Sequence, residues 1–411
     1  MKVLQSALND ALRRHPVRLA VDVLESKFEM AGVKITSGQR RKLEQSLTRA
    51  EGDVITLRAG RPWQRGTVDL EITDEDIANL EERLDEWIAE SLPRLVESLS
   101  SQTALDLLDT LRNRWDSQWR HEFRVGTKFS KRLEDRWQKP LSLLRMLVTI
   151  TTEFGSLTSE RLQEEDSPSE LFGVQVRLHA RGCQISREVI ALLQGGFADG
   201  AMARWRTLHE IAVVSMLLSD GGDELAERYR LHEVIESRRA ALEYEANTQR
   251  LGLQPLDRRE LESLEKERAN LIQRFGKSFG ESYGWAAAHL GLSHPKFTDI
   301  ERSAGADHLR PYYRMASYGV HANPKGVFFR LGILGEIDLM LAGASNYGLA
   351  DPGQNTAISL GHLNSALAMS SINFDGLVVM KLSLQLSDLI GEAFVAVQHE
   401  MEREERAVRD E

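Results

Sequence analysis

The chain has 411 residues, 42% hydrophobic and 28% charged, with a formal net charge of −10. That length allows two or three domains, and the acidic balance excludes a polyanion binder working through its whole surface, so nucleic-acid contact must come from a local basic patch. A single cysteine, Cys183, excludes an internal disulfide and a multi-cysteine zinc site and fits a reducing compartment.

Taken in chain order, residues 1–50 predict two helices, the second opening near Thr36 or Ser37. Their N-terminus lacks the apolar core of a secretory signal. Residues 54–57 and 67–72 predict two short strands, because Val68, Leu70 and Ile72 alternate with polar residues. Thr73 is set to cap the next helix, with Asp76 in place of the usual Glu of a capping box. From about residue 101 nearly everything has helical periodicity. EEDSPSE, residues 164–170, punctuates it, and the turn QGGFADG, residues 194–200, joins two helices into an antiparallel hairpin. Its second helix, AMARWRTLHEIAVVSMLL, is apolar on more than one face, as a central helix is. Further helices are predicted over 223–249, 257–275, 354–372 and 376–407. The expected protein is mainly α, with a small N-terminal α+β module (1–100), a helical connector (101–165) and a C-terminal helical bundle (166–411). No apolar run reaches the roughly 18 residues of a membrane span, so the expected location is cytoplasmic, with no membrane partner.

Three clusters carry chemistry. On the hairpin, Met202, Trp205, His209, Ala212 and Met216 share one stripe, and Arg206 precedes His209 by three residues and Glu210 by four. Arg177 and Arg181 stand one turn apart on the preceding helix. Buried arginines need carboxylates or an anionic ligand, so this set is either an interhelical network, such as Arg181 with Glu210, or a ligand site. In YRMASYGVHANPKG, residues 313–326, Arg314, Ser317 and His321 share a helix face that ends near Asn323-Pro324. A histidine beside an arginine suits acid–base chemistry on a phosphodiester, with Lys325 as a further cation. The alternative is that His321 and Asn323 only cap the helix. Residues 112–139 are locally basic and interleave Trp115, Trp119, Phe123, Phe129 and Trp137. Such a pattern suits single-stranded nucleic acid, but the four-residue repeat of Trp115, Trp119 and Phe123 fits a buried helix face better. No phosphate-cradling glycine loop, nucleophile elbow or metal-ligand pattern is present; no cofactor or metal is expected.

The hairpin with its Arg204-x4-His209-Glu210 run, followed by Ser317-x3-His321, resembles a bacterial family of unknown function over roughly residues 170–375. It also resembles HEPN-type helical domains, many of them metal-independent RNases of toxin and antiviral systems. Their motif, an Arg followed by four to six residues and a His, occurs here from Arg204 to His209 and from Arg314 to His321. Trp205 and Met315 follow the arginines where that family often has a polar residue. The resemblance implies an endoribonuclease acting on RNA as a homodimer, in bacterial defence or beside an antitoxin partner. His321 would be the general acid or base, Arg314 would neutralise phosphate charge, and Ser317 or Asn323 would orient substrate. Arg204, Arg206, His209 and Glu210 would be support or an alternative centre, and Arg177, Arg181 and Lys325 would bind substrate. The other expectation is a non-catalytic binding protein whose polar groups hold the bundle together.

Overall fold

The structure, a computed structural model, describes residues 2–49, 70–334 and 340–410. Every regular element among them is helical: α1 (Lys2–Met30), α2 (Ser37–Arg49), α3 (Asp74–Glu86), α4 (Leu92–Glu164), α5 (Glu170–Gln194), α6 (Ala198–Leu231), α7 (Glu233–Leu251), α8 (Arg258–Phe275), α9 (Ala287–Leu290), α10 (Phe297–Ser303), α11 (Arg310–Val320), α12 (Pro324–Phe328), α13 (Ala350–Ser370) and α14 (Phe374–Asp410). Packing divides the chain into two units, residues 1–122 and 123–411.

In the first unit α1 packs on α2 and α3. Arg40 of α2 pairs with Asp22 and Glu25 of α1, and Lys27 pairs with Asp76. Thr73 and Asp76 form the expected capping box: the Thr73 N–H donates to the Asp76 carboxylate at 2.8 Å, and the Thr73 hydroxyl accepts from the Asp76 N–H at 3.3 Å. Only Leu19, Val21 and Leu43 are buried apolar residues among the described ones of this unit, so its own core is small. The predicted α+β character is corrected here. The strand at 54–57 and residues 67–69 of the second lie outside the described residues, while Leu70, Glu71 and Ile72 are irregular chain leading into the Thr73 cap. Three alternating apolar residues need a paired neighbour to become a strand, and Ile72 is exposed instead.

In the second unit α5, α6, α13 and α14 form the bundle, with α5 and α6 both packed on α13 and α13 packed on α14. The α5–α6 hairpin turns at Gly195–Gly196. Gly196 has a φ of 76° and lies against Phe129 and the Ser345 carbonyl, so both its backbone angle and its surroundings exclude a side chain. α6 buries Ala201, Met202, Trp205, Leu208, His209, Ala212 and Val213, which is the multi-sided burial its composition predicts. It breaks at Gly222, with a φ of 63°, so the helix predicted over 223–249 is divided between the end of α6 and α7. One polar junction crosses the bundle. His179 on α5 donates from Nε2 to Asn364 Oδ1 at 2.8 Å, and the Asn364 amide donates to Thr151 of α4 at 2.9 Å and Ser383 of α14 at 2.8 Å. Burial pushes the His179 ring down to about 4, so Nε2 carries its proton and Nδ1 faces the Cys183 thiol at 3.7 Å.

The basic-aromatic segment 112–139 departs from its expected packing. Trp137 is buried and donates to the Asn346 carbonyl at 3.0 Å, and Phe129 is partly buried, but Trp115, Trp119 and Phe123 are all exposed. Helical spacing put them on one face; it did not supply anything to cover that face.

Candidate functional site

The two segments that resemble motifs pack together, because α11 lies on α6. Their meeting point is Tyr313, whose ring is buried and whose hydroxyl accepts from Arg206 Nη2 at 2.8 Å while donating to Glu210. The Arg206 guanidinium also sits 4.7 Å from the centre of that ring and 3.3 Å from Glu210. Burial, and then the Glu210 carboxylate, push the Tyr313 phenol far above its ordinary value, which keeps it a neutral donor. Glu210 is therefore used on its own helix and by α11, and not by α5.

His209, one residue away, is fully buried. Its Nε2 lies 2.9 Å from Glu301 Oε1 on α10, and Arg310 of α11 donates to the other oxygen of Glu301 at 2.6 Å. Trp205, Tyr313 and Phe297 surround the ring, with centres 5.2, 5.7 and 6.2 Å away. Burial lowers the His209 pKa, and the Glu301 carboxylate opposes this without reversing it. A neutral ring then gives its single proton to Glu301 and leaves Nδ1 buried with no partner among the described residues. Nearby His362 is pushed down to about 4, chiefly by burial. This is an ordered, closed network, without access for a polymer.

The remaining hairpin residues go elsewhere. Arg204 pairs with Glu188 of α5. Arg177 donates to the Gly173 carbonyl and Arg181 to Gln184, each at 2.7 Å, both on their own helix and exposed. The expected Arg181–Glu210 pair is replaced by the Arg206–Tyr313–Glu210 set, since α5 presents Arg181 to solvent.

The second cluster lies on the outside of α11 and α12. Arg314 is exposed and has no hydrogen-bond or ion-pair partner among the described residues. Ser317 donates to the Tyr313 carbonyl at 3.0 Å. His321 is the first residue past α11, with extended backbone and an exposed side chain. Asn323 caps α12 by accepting from the Lys325 N–H at 2.9 Å, which leaves its amide N–H groups for other partners. Lys325 Nζ stands 5.1 Å from the Tyr318 ring centre. The corner between the two helices is tight: a Cβ on Gly326 would collide with the Tyr318 carbonyl. Asp199 at the start of α6 ties down the far end by accepting from the Leu331 N–H at 3.2 Å. Beneath this face lies a cavity of about 10 Å³ lined by Asp199, Met202, Tyr318 and Gly326, enough for one water, so a larger ligand must bind on the surface. Wider open grooves of about 400 and 510 Å³ lie beside Arg268 and Lys277 and beside Arg132 and Glu400, and contain none of the predicted site residues.

Sequence reasoning missed Glu301, Arg310 and Tyr313. Tyr313 had a signal, being four residues before Ser317 on the face of α11 that turns towards α6; Glu301, in the run FTDIERS, had none. Among the described residues no three His, Cys, Asp or Glu side chains gather into a group that could hold a metal ion. No helix among them is long and apolar enough to cross a membrane. Comparison with curated proteins and with solved structures gives no match. Residues 173–335, the span holding the α5–α6 hairpin and the α11–α12 face, match the model of DUF5677, a family of unknown function.

Proposed function

We infer that the protein binds RNA across the α11–α12 face and cleaves it as a metal-independent endoribonuclease of HEPN-like type. One observation carries this reading. In a chain of net charge −10, residues 308–334 contain Arg310, Arg314, Lys325, Arg330, His308 and His321 and not one Asp or Glu. Arg314, His321 and Lys325 are exposed, beside exposed Phe328 and Phe329. Cations interleaved with exposed aromatics are what a single-stranded polyanion requires. In the reaction, a ribose 2′-hydroxyl attacks the adjacent phosphorus as His321 takes its proton, and the P–O5′ bond breaks, the departing 5′-oxygen taking a proton from water, to give a 2′,3′-cyclic phosphate and a 5′-hydroxyl. Arg314 stabilises the charge on the non-bridging oxygens, and the free amide of Asn323 orients the phosphate. Such an activity fits a cytoplasmic effector of bacterial defence, or a toxin restrained by an antitoxin protein.

A second reading, a non-catalytic binding protein, is favoured by the α6 cluster, where Arg204, Arg206, His209 and Glu210 are all held by internal partners. Incubating purified protein with total RNA in EDTA, beside His321→Ala, Arg314→Ala and His209→Ala, separates the two. The enzyme reading expects cleavage by the parent and a loss on the order of 100-fold or more in His321→Ala. Retention of RNA without cleavage by any preparation favours the binding protein. Cleavage lost only in a folded His209→Ala variant would move the centre to the hairpin, and absence of both binding and cleavage removes both readings.

A further inference from the structure

Where α4 enters the second unit, its solvent side carries charge of one sign. Residues 123–139 hold Arg124, Lys128, Lys131, Arg132, Arg136 and Lys139 against only Glu134 and Asp135, in a chain of net charge −10. At about 100° per residue, Arg124, Lys128, Lys131, Arg132, Asp135 and Lys139 fall within one sector about 100° wide. Leu133, Trp137 and Leu141 are buried on the opposite side of the helix, so the sector points to solvent. Lys128, Lys131, Arg132 and Lys139 are exposed and have no hydrogen-bond or ion-pair partner among the described residues. Arg136, at the edge of the sector, pairs with Glu404 of α14 at 2.7 Å, and Glu134, outside it, pairs with Arg145 at 3.0 Å. Only Asp135 within the sector, and Glu400 in the groove beside Arg132, oppose a row of four cations about 16 Å long.

We propose that this face of α4 holds the phosphate backbone of double-stranded RNA. The choice of RNA rests on the reading of the α11–α12 face; the phosphate contact rests on α4 alone. A nucleic-acid backbone is a regular row of like charges, and cations spaced along one helix face follow it without reading sequence. The sector itself carries no ring, since Phe129 is turned to Gly196 and Trp137 is buried. It therefore lacks the stacking platforms of a single-strand site and suits a duplex, whose bases are already stacked. A flat anionic membrane would also meet Asp135, Glu400 and the rest of an acidic surface, whereas a narrow rod of phosphates meets the row alone.

The place of the row in the fold extends this to the whole substrate. Phe129 lies against Gly196 of the α5–α6 turn, and Asp199, three residues further on, holds the Leu331 N–H at the far end of the α11–α12 face. Both faces are fastened to one turn. The RNA they fit together has a duplex adjoining an unpaired stretch.

Fluorescence anisotropy of the full chain with an RNA duplex of about 20 base pairs tests this, beside the DNA duplex of the same sequence and a single RNA strand. Four phosphate contacts give a slope of about −3.6 in log affinity against log salt, so affinity should fall on the order of 100-fold between about 50 and 200 mM salt. Lys128→Gln with Lys131→Gln and Arg132→Gln should weaken duplex binding on the order of 100-fold and flatten the slope by about three, with circular dichroism unchanged. Lys128→Arg with Lys131→Arg, which keeps the charge, should keep both affinity and slope. Should the glutamine changes disturb the helix, Lys139→Gln alone should still flatten the slope by about one. Binding of the single strand should survive the glutamine changes and be lost in Arg314→Ala with Lys325→Ala. A duplex affinity and slope unmoved by the glutamine changes would overturn the proposal. So would a tighter hold on the DNA duplex, or binding to anionic phospholipid vesicles and to neither duplex, since each assigns the face to another polyanion. Duplex binding that depends on α4, with the single strand neither bound nor cut, would remove the reading of the α11–α12 face and leave the α4 assignment standing.

Discussion

His209 keeps its ring neutral because no water reaches it and Glu301 is already shared with Arg310. Its replacement by alanine removes a hydrogen bond to a buried carboxylate and leaves a gap among Trp205, Phe297 and Tyr313. The expected loss is about 2–4 kcal/mol of unfolding free energy by chemical denaturation. Arg314→Ala, at an exposed position without a partner, should stay within about 0.5 kcal/mol on the same measurement. If the two variants are equally unstable, the buried pair is not what holds α6 to α10. Histidines held down by burial also set a pH dependence. His179 and His362 are pushed down to about 4, and His209 is lowered from 6.5, each chiefly by burial. Below pH 6.5 the unfolded chain takes up protons that the folded chain refuses, so stability is full above that value and declines as pH falls towards 4. His179 alone accounts for about 3 kcal/mol across this window, and proton uptake on unfolding at pH 5 should drop by nearly one in His179→Gln.

Helix boundaries and caps were legible because their signals are local. The Thr73–Asp76 box, the α5–α6 turn and the burial of His209 on an apolar row all follow from residues within four positions of one another. The Ser169 cap of α5, which accepts from the Phe172 N–H at 3.1 Å, is of the same kind; Ser169→Ala should cost about 1 kcal/mol in a thermal or denaturant series. What joins elements was not legible. His209 finds Glu301 across 92 residues, and Tyr313 finds Glu210 across 103, and no periodicity encodes such pairs. The α4 stripe failed in the opposite sense: its spacing correctly announced an apolar face and was silent about what lies against it. At the α11–α12 corner, Gly326→Ala should push α12 off the Tyr318 carbonyl, lowering RNA retention with little change in the far-ultraviolet helix signal. A binding face indifferent to that change would place RNA contact elsewhere.

Two units with unequal cores should not melt alike. Among the described residues the first buries few apolar side chains, and the second has the continuous core that runs from Leu133 to Met401. Calorimetry should therefore show an early, small transition and a later, larger one. A single transition would mean that the unequal cores do not govern unfolding. At this scale the sequence made the class of fold plain, since helical periodicity runs through almost all of it, and left the division after residue 122 hidden inside one continuous helix.

The junction at Asn364 has a consequence beyond stability. Its amide reaches α4, α5 and α14 from α13 through three hydrogen bonds. An apolar bundle tolerates one helix sliding past another, because one leucine resembles the next. Here a slide of α13 by a single turn would strand the His179 N–H and the Asn364 amide in a dry interior and take from Thr151 and Ser383 the donor each accepts. The bundle is thus keyed: one asparagine singles out the correct alignment of four helices from its near neighbours, and inserting one residue on either side of Asn364 should leave a collapsed, helical but unsettled core.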